Sequence, residues 1–366
     1  MPLSRSIVSM HLPGFPLFRQ RGVMKALLVP ALLLVIGTGA VQAAEVTAPA
    51  PAGGGVKSPA AESKAPPPPP PAEGVPVTAA VAAQIAKAMP TARATPASPR
   101  KLLVFTKTQG FRHSSINEGC EALRQIATAT KAFTITFSAD LADLEADKLA
   151  GYDGLVLLNT TQLKPSDQQK QALLDFVRVQ GKGLIGIHAA IDNWPGWSEG
   201  QALMGGVFKN HPWKAGDTSA VKLDEPTHPM VAAFAGKGFW IKDEIYQVVG
   251  PYSRDDLRVV LSLDMSHPEN NRPEKDVVRS DHDHGIAWVA QRGKGRLFYT
   301  CLGHNGALYS MPEVLQHYLD GIQFALGDLA APTEPSSKLV IKPIPALAPA
   351  KTPVAPTAPH SAEAVK

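Results

Sequence analysis

Cysteine is almost missing from this sequence: Cys120 and Cys301 are the two in 366 residues. That excludes a disulfide framework and a Cys-ligated zinc ribbon, and leaves open one pairing or none. Acidic residues are missing from the first 43 positions, which hold Arg5, Arg19, Arg21 and Lys25. The formal charge of +4 therefore belongs to the front of the chain, and the remainder carries 32 basic and 32 acidic side chains. A balanced remainder has no electrostatic basis for binding nucleic acid or an anionic membrane. Proline is scarce in one region only. Residues 100–330 hold 9 of the 34 prolines, against 17 before them and 8 after.

The front reads as a targeting signal. Met24-Lys25 precedes Ala26 to Gly39, apolar apart from Thr38, and then Val41-Gln42-Ala43-Ala44. A positive start, an apolar stretch and a small-x-small cleavage site predict a signal peptide over residues 1–44, with Met24 as an alternative start. An uncleaved membrane anchor is the rival reading, and the sole route to a membrane partner. No cysteine lies at the cleavage site, so lipid anchoring there is excluded. The expected location is the bacterial periplasm or the exterior. Residues 45–99, with Gly53-Gly54-Gly55 and the run Pro66–Pro71, and residues 331–366 read as disordered Pro/Ala-rich spacers.

Between them the pattern changes. Leu102–Phe105, Phe133–Phe137, Gly154–Leu158 and Gly183–Ile187 are short, mostly apolar runs. Glu118–Thr128 and a stretch opened by Pro165-Ser166-Asp167 have helical spacing, and Gly181 closes the second. Such alternation predicts an α/β fold with a mainly parallel sheet covered on both faces. Ligands then bind outside the carboxyl ends of the strands.

Polar residues gather where these strands end. The first strand runs into Phe111-Arg112-His113-Ser114-Ser115, and the fourth into His188-Ala189-Ala190. The serines read as helix caps, which leaves Arg112 and His113 for function. His188 sits where a nucleophile elbow places its reactive group; a core histidine bonded to a carbonyl is the alternative. Asp243-Glu244-Ile245-Tyr246 puts two carboxylates beside an aromatic. On a strand they face opposite ways, so one at most enters a site unless the strand ends there. A late strand, Gly295 to Cys301, delivers Gly303-His304-Asn305, and a helix from Glu313 to Leu326 closes the domain. His113, His188 and His304, with Glu244 as a fourth group, suit a divalent metal such as Zn²⁺. His282-Asp283-His284 is read as a solvated loop. His211 and His228 precede prolines in loops. Trp194, Trp197 and Trp213 stack on sugar faces or pack a long loop.

Phe111-Arg112-His113-x-Ser115-Ile116, Gly186-Ile187-His188-Ala189-Ala190, Asp243-Glu244-x-Tyr246 and Gly293-Lys294-Gly295-Arg296-Leu297-Phe298-Tyr299 with Leu302-Gly303-His304 occur in that order. Together they resemble the ThuA-like (trehalose-utilisation) family over about residues 100–330. The resemblance implies a flavodoxin-like three-layer α/β sandwich of the class I glutamine amidotransferase-like kind. It also implies a role with sugars, in the context of trehalose and 3-keto-glycosides. His188 stands where glutamine amidotransferases keep a catalytic cysteine, so glutaminase chemistry is not expected. Asn305 stands where ThuA-like sequences more often have Asp.

The expected chemistry is acid/base cleavage of a 3-keto-glycoside. Glu244 or His188 is the base, and Asp243 or Tyr246 orients it. A metal on His113, His188 and His304, or Arg112 alone, stabilises the developing charge. Arg112, Trp194, Trp197 and Asn305 are the expected substrate contacts. No nucleotide cofactor is expected, and the partner is a sugar or glycoside. The competing reading is a non-catalytic carbohydrate-binding module of the envelope.

Overall fold

Leu102–Phe105 and Leu155–Leu158 offer no polar position to turn toward water, so a sheet built from them must be covered on both faces. In the computed structural model, which describes residues 71–347, both runs are fully buried. The expected signal peptide, Gly53–Gly55, most of the Pro66–Pro71 run and the tail past Leu347 lie outside the described residues.

The first half of the chain forms α1 (Ala79–Lys87), β1 (Lys101–Phe105), α2 (Ile116–Thr130), β2 (Thr134–Ser138), α3 (Ala146–Leu149), β3 (Gly154–Leu158), α4 (Asp167–Leu174) and β4 (Gly183–Ile187). The second half adds α5 (Ser198–Met204), β5 (Val207–Trp213), β6 (Thr218–Leu223), β7 (Phe239–Lys242) and β8 (Ile245–Val249). It ends with β9 (Arg258–Leu263), β10 (Gly285–Arg292), β11 (Gly295–Thr300) and α6 (Pro312–Ala325). Nine strands form one sheet in the order β2-β1-β3-β4-β11-β10-β9-β6-β7, and β5 pairs with β8 separately. From β2 to β11 the neighbours are parallel. From β11 to β7 they alternate in direction. This is the expected α/β class with a mixed, mostly parallel central sheet.

Glycines on β4 show how the layers close. A Cβ on Gly183 would meet the Ala325 carbonyl of α6, and one on Gly186 would meet Met204 of α5. Residues three apart on a strand point to opposite faces, so α5 and α6 cover opposite sides. Ser166 caps α4 in a full capping box with Gln169, where the sequence starts a helix.

Part of each expected spacer carries structure. Ala79-Ala80-Val81-Ala82-Ala83-Gln84-Ile85-Ala86-Lys87 contains no proline, and Thr78 caps it. Ile85 is fully buried, and Gln125 of α2 donates to the Ala82 carbonyl. Arg93 then pairs with Asp320 of α6 at 2.9 Å, and Arg100 with Asp328. At the other end Ile344 and Leu223 of β6 exchange both backbone hydrogen bonds at 2.9 Å. The packed chain therefore extends beyond 100–330. Averaging over a proline-rich stretch hides a nine-residue helix that lacks proline. Among the described residues no helix is long and apolar enough to cross a membrane.

Candidate functional site

Register sets the site. Leu158 pairs with Ile187 and Ile187 with Thr300, so the chains leaving β3, β4 and β11 emerge together at one edge. His188 follows β4 with φ 49°, a left-handed conformation that turns the chain sharply at the strand end. Its Nδ1 lies 2.7 Å from the Cys301 carbonyl. A carbonyl only accepts, so Nδ1 carries the proton and Nε2 presents a lone pair. That Nε2 lies 3.2 Å from His304 Nδ1 and 3.8 Å from Glu244 Oε1. His304 Nδ1 is 3.1 Å from the same carboxylate oxygen.

His113 completes the group from the loop after β1. Its ring centroid lies 4.8 Å from that of His188 and 5.0 Å from that of His304, nearly perpendicular to both. One ligand atom from each of His113, His188, Glu244 and His304 lies within 4.8 Å of every other. Gly303 makes the approach possible. With φ 139°, it lacks a Cβ that would sit 2.9 Å from the Tyr309 hydroxyl. Its carbonyl accepts from Ser115, Asn159 and Tyr309.

Burial, reinforced by the charge of His304, pushes His113 down to about 4. Burial also holds His188 well below its ordinary value. Burial works against both charged forms in the Glu244–His304 pair, but their mutual hydrogen bond and attraction win. Glu244 is lowered and His304 raised. Two neutral imidazoles, a third imidazole and an ionised carboxylate are donors of the kind Zn²⁺ takes. His113 Nδ1 is buried without a hydrogen-bond partner among the described residues, which also suits a ligand set.

Other expected site residues are placed differently. β7 ends at Lys242 and β8 starts at Ile245, so Asp243 and Glu244 occupy the turn between them. Glu244 faces the histidines. Asp243 faces away and accepts from the backbone N–H groups of Gly303, His304 and Asn305. Burial outweighs those three bonds and raises its carboxyl to about 6. It holds the His304 loop and does not line the cleft. Asn305 donates to the Ala215 and Lys242 carbonyls, which makes it a brace for the same loop. Tyr246 packs at a tilt against His188, centroid to centroid 4.3 Å, and its hydroxyl lies 3.4 Å from His113 Nε2.

Trp194 and Trp197 are buried and pack edge-on against each other at 5.2 Å, so neither offers a free face to a sugar. Arg112 reaches the Thr106 carbonyl, outside the residues that line the cleft. His284 is buried against Trp213 rather than solvated, because Arg254 and Tyr252 take up Asp283 beside it. His228 caps the turn before Met230. Cys120 and Cys301 are free and buried.

The cleft holds about 320 Å³ and is lined by Phe111, His113, Thr161, Asp192, Phe208, His211, Glu244, Tyr246 and His304. His211, Asp192 and Phe208 are not legible as site residues in the sequence. His211 Nδ1 lies 3.1 Å from Glu244 Oε2 and 3.1 Å from Lys214 Nζ. It arrives on β5, which pairs with the strand carrying Tyr246, and Pro212 disguises that strand as a loop. Asp192 ends the short turn that His188 begins.

Comparison with known proteins gives one family and one fold. A family profile described as ThuA, trehalose utilisation, matches residues 101–325. A ThuA-like protein of Bacteroides uniformis is 21% identical, with TM-score 0.50, over 63% of this chain and 93% of that one. Another from Parabacteroides merdae is 19% identical, with TM-score 0.49, over 64% and 93%. No curated protein matches.

Proposed function

The chain belongs to the ThuA family, described as trehalose utilisation, and on that footing we propose that it is an exported carbohydrate-processing enzyme that cleaves a 3-keto-glycoside. One observation carries the reading. Three imidazoles and a carboxylate meet within 4.8 Å, with His113, His304 and Glu244 lining a small cleft and His188 buried beneath them, at the sheet edge where α/β proteins bind ligands. His113, His188, His304 and Glu244 would hold a divalent ion such as Zn²⁺, which would supply Lewis-acid stabilisation of a substrate oxygen. Met24 to Ala44 is what supports an exported location.

The 3-keto group acidifies the C2–H bond. A base takes that proton, the freed electron pair becomes the C1=C2 double bond, and the C1 substituent leaves and recovers a proton. Glu244 is divided between two tasks. Its Oε1 faces His188 and His304, and its Oε2 faces His211. We assign the base to His211, oriented by that second oxygen. Tyr246 keeps water from one side of His188 and fixes His113 through its hydroxyl.

The test uses the full chain, assayed for bound metal and incubated with 3-keto-glycosides and with their parent glycosides. Turnover of the keto compounds, lost on chelation and in His188→Ala, is the expected result. Sugar binding without turnover, in a protein that takes up no metal, overturns it and favours a carbohydrate-binding module.

A further inference from the structure

Phe111 has no packing reason to be where it is. It is 67% exposed, yet it lines the cleft and meets His113 edge-on at 4.8 Å. Its backbone is held on several sides. Thr161 donates through its hydroxyl to the Phe111 carbonyl at 2.8 Å, and Gly110 N donates back to Thr161 Oγ1. Gln109 N donates to the Thr161 carbonyl, and Lys164 N to the Gln109 side chain. An exposed aromatic on a tethered backbone is a prepared surface rather than a loose one.

Asp192 is prepared in the same way. Gln162 donates from its side chain to Asp192 Oδ1 at 2.6 Å and from its backbone to the Asp192 carbonyl at 2.8 Å. That leaves Oδ2 without a partner among the described residues, in a side chain that lines the cleft. Thr161 and Gln162 are adjacent, so one short segment after β3 positions both the ring and the carboxylate. Phe208, which packs on Tyr246 at 4.4 Å, supplies a further aromatic wall.

We infer that this side of the cleft is a pyranose seat, in which Phe111 stacks on the C–H face of the sugar ring and Asp192 accepts from its hydroxyls. An aromatic face next to a hydrogen-bond acceptor matches the two surfaces of a pyranose, one apolar and one polar. Phe111 takes the stacking role that the buried Trp194 and Trp197 do not fill. The inference rests on the cleft being a sugar site, and it specifies a cyclic sugar with an unsubstituted ring face.

The test is saturation-transfer NMR and calorimetry on the full chain, with methyl α-D-glucopyranoside as probe and acyclic sorbitol as control. The pyranoside binds with transfer to its ring C–H protons, and sorbitol does not. Phe111→Ala weakens binding about three- to tenfold, the range of an aromatic stacking contact. Phe111→Tyr restores it, and Asp192→Asn weakens it independently. With a turned-over keto-glycoside, Phe111→Ala raises KM by a larger factor than it lowers kcat. Equal binding by wild type and Phe111→Ala, equal binding of sorbitol, or no pyranoside binding overturns the inference. Turnover indifferent to Phe111 sinks the seat and spares the enzyme. Phe111-dependent binding without turnover or metal does the reverse.

Discussion

Asp243 and Glu244 are neighbours with the same chemistry and opposite duties. Glu244 Oε1 sits 3.1 Å from His304, whereas Asp243 gathers three backbone N–H groups from the loop that carries that histidine. A carboxylate that accepts three donors is hard to replace, since each donor left unpaired in a buried site costs about 1–3 kcal/mol. Asp243→Asn keeps the shape but turns an amide toward donors. It is expected to lower stability by about 1–3 kcal/mol in urea melts. With Zn²⁺ held as proposed on His304 and its neighbours, loosening that loop is also expected to weaken metal retention about 10- to 100-fold. Metal content after dialysis, with Glu244→Gln alongside, separates the two duties. Glu244→Gln takes an oxygen from the cluster itself and should lose metal outright, with the Asp243 bonds to the loop intact. Wild-type metal affinity in Asp243→Asn would falsify the loop-holding role.

Among the elements, legibility followed chain locality. β3, β4 and β1 beyond Lys101 are apolar throughout and are legible, as is the capped start of α4. β4 delivers His188 directly and the loop after β1 carries His113, so their place at one edge follows from the parallel order. His211 is not legible, because its position depends on β5 pairing with β8, from Val207 with Val249 to Trp213 with Ile245. Nothing local in Lys209-Asn210-His211-Pro212 signals that partner. The same holds for α1, whose one fully buried side chain, Ile85, matters only because α2 lies beneath it. Ile85→Ala is expected to cost about 2–5 kcal/mol, the usual range for a buried Ile or Leu truncated to Ala. Urea denaturation measures it. A spacer that merely trails from the domain would give no change in midpoint.

The whole molecule buries several histidines that do not belong to the cleft, and these tie its stability to pH. His317 on α6 is fully buried, with Nδ1 2.6 Å from the Met230 carbonyl and Nε2 without a partner among the described residues. Burial pushes it down to about 4, against the pull of that carbonyl and with a small push from His228. Its folded value lies below its unfolded one, so the unfolded chain binds the extra proton between about pH 6.5 and 4. The stability it contributes is therefore full above pH 6.5 and drains away as the pH falls toward 4. Asp243 and Asp320, both raised to about 6 by burial, pull in the opposite direction. A bare pH profile would mix the two. Comparing wild type with His317→Gln cancels the carboxyls, which titrate alike in both proteins. The advantage of wild type over His317→Gln should shrink by about 1–3 kcal/mol between pH 7 and pH 4.5. Urea midpoints at four or five pH values read it directly. An advantage that stays constant or grows on acidification would mean that His317 is protonated in the folded protein, against the apolar packing of Phe234 and Phe298 around its ring.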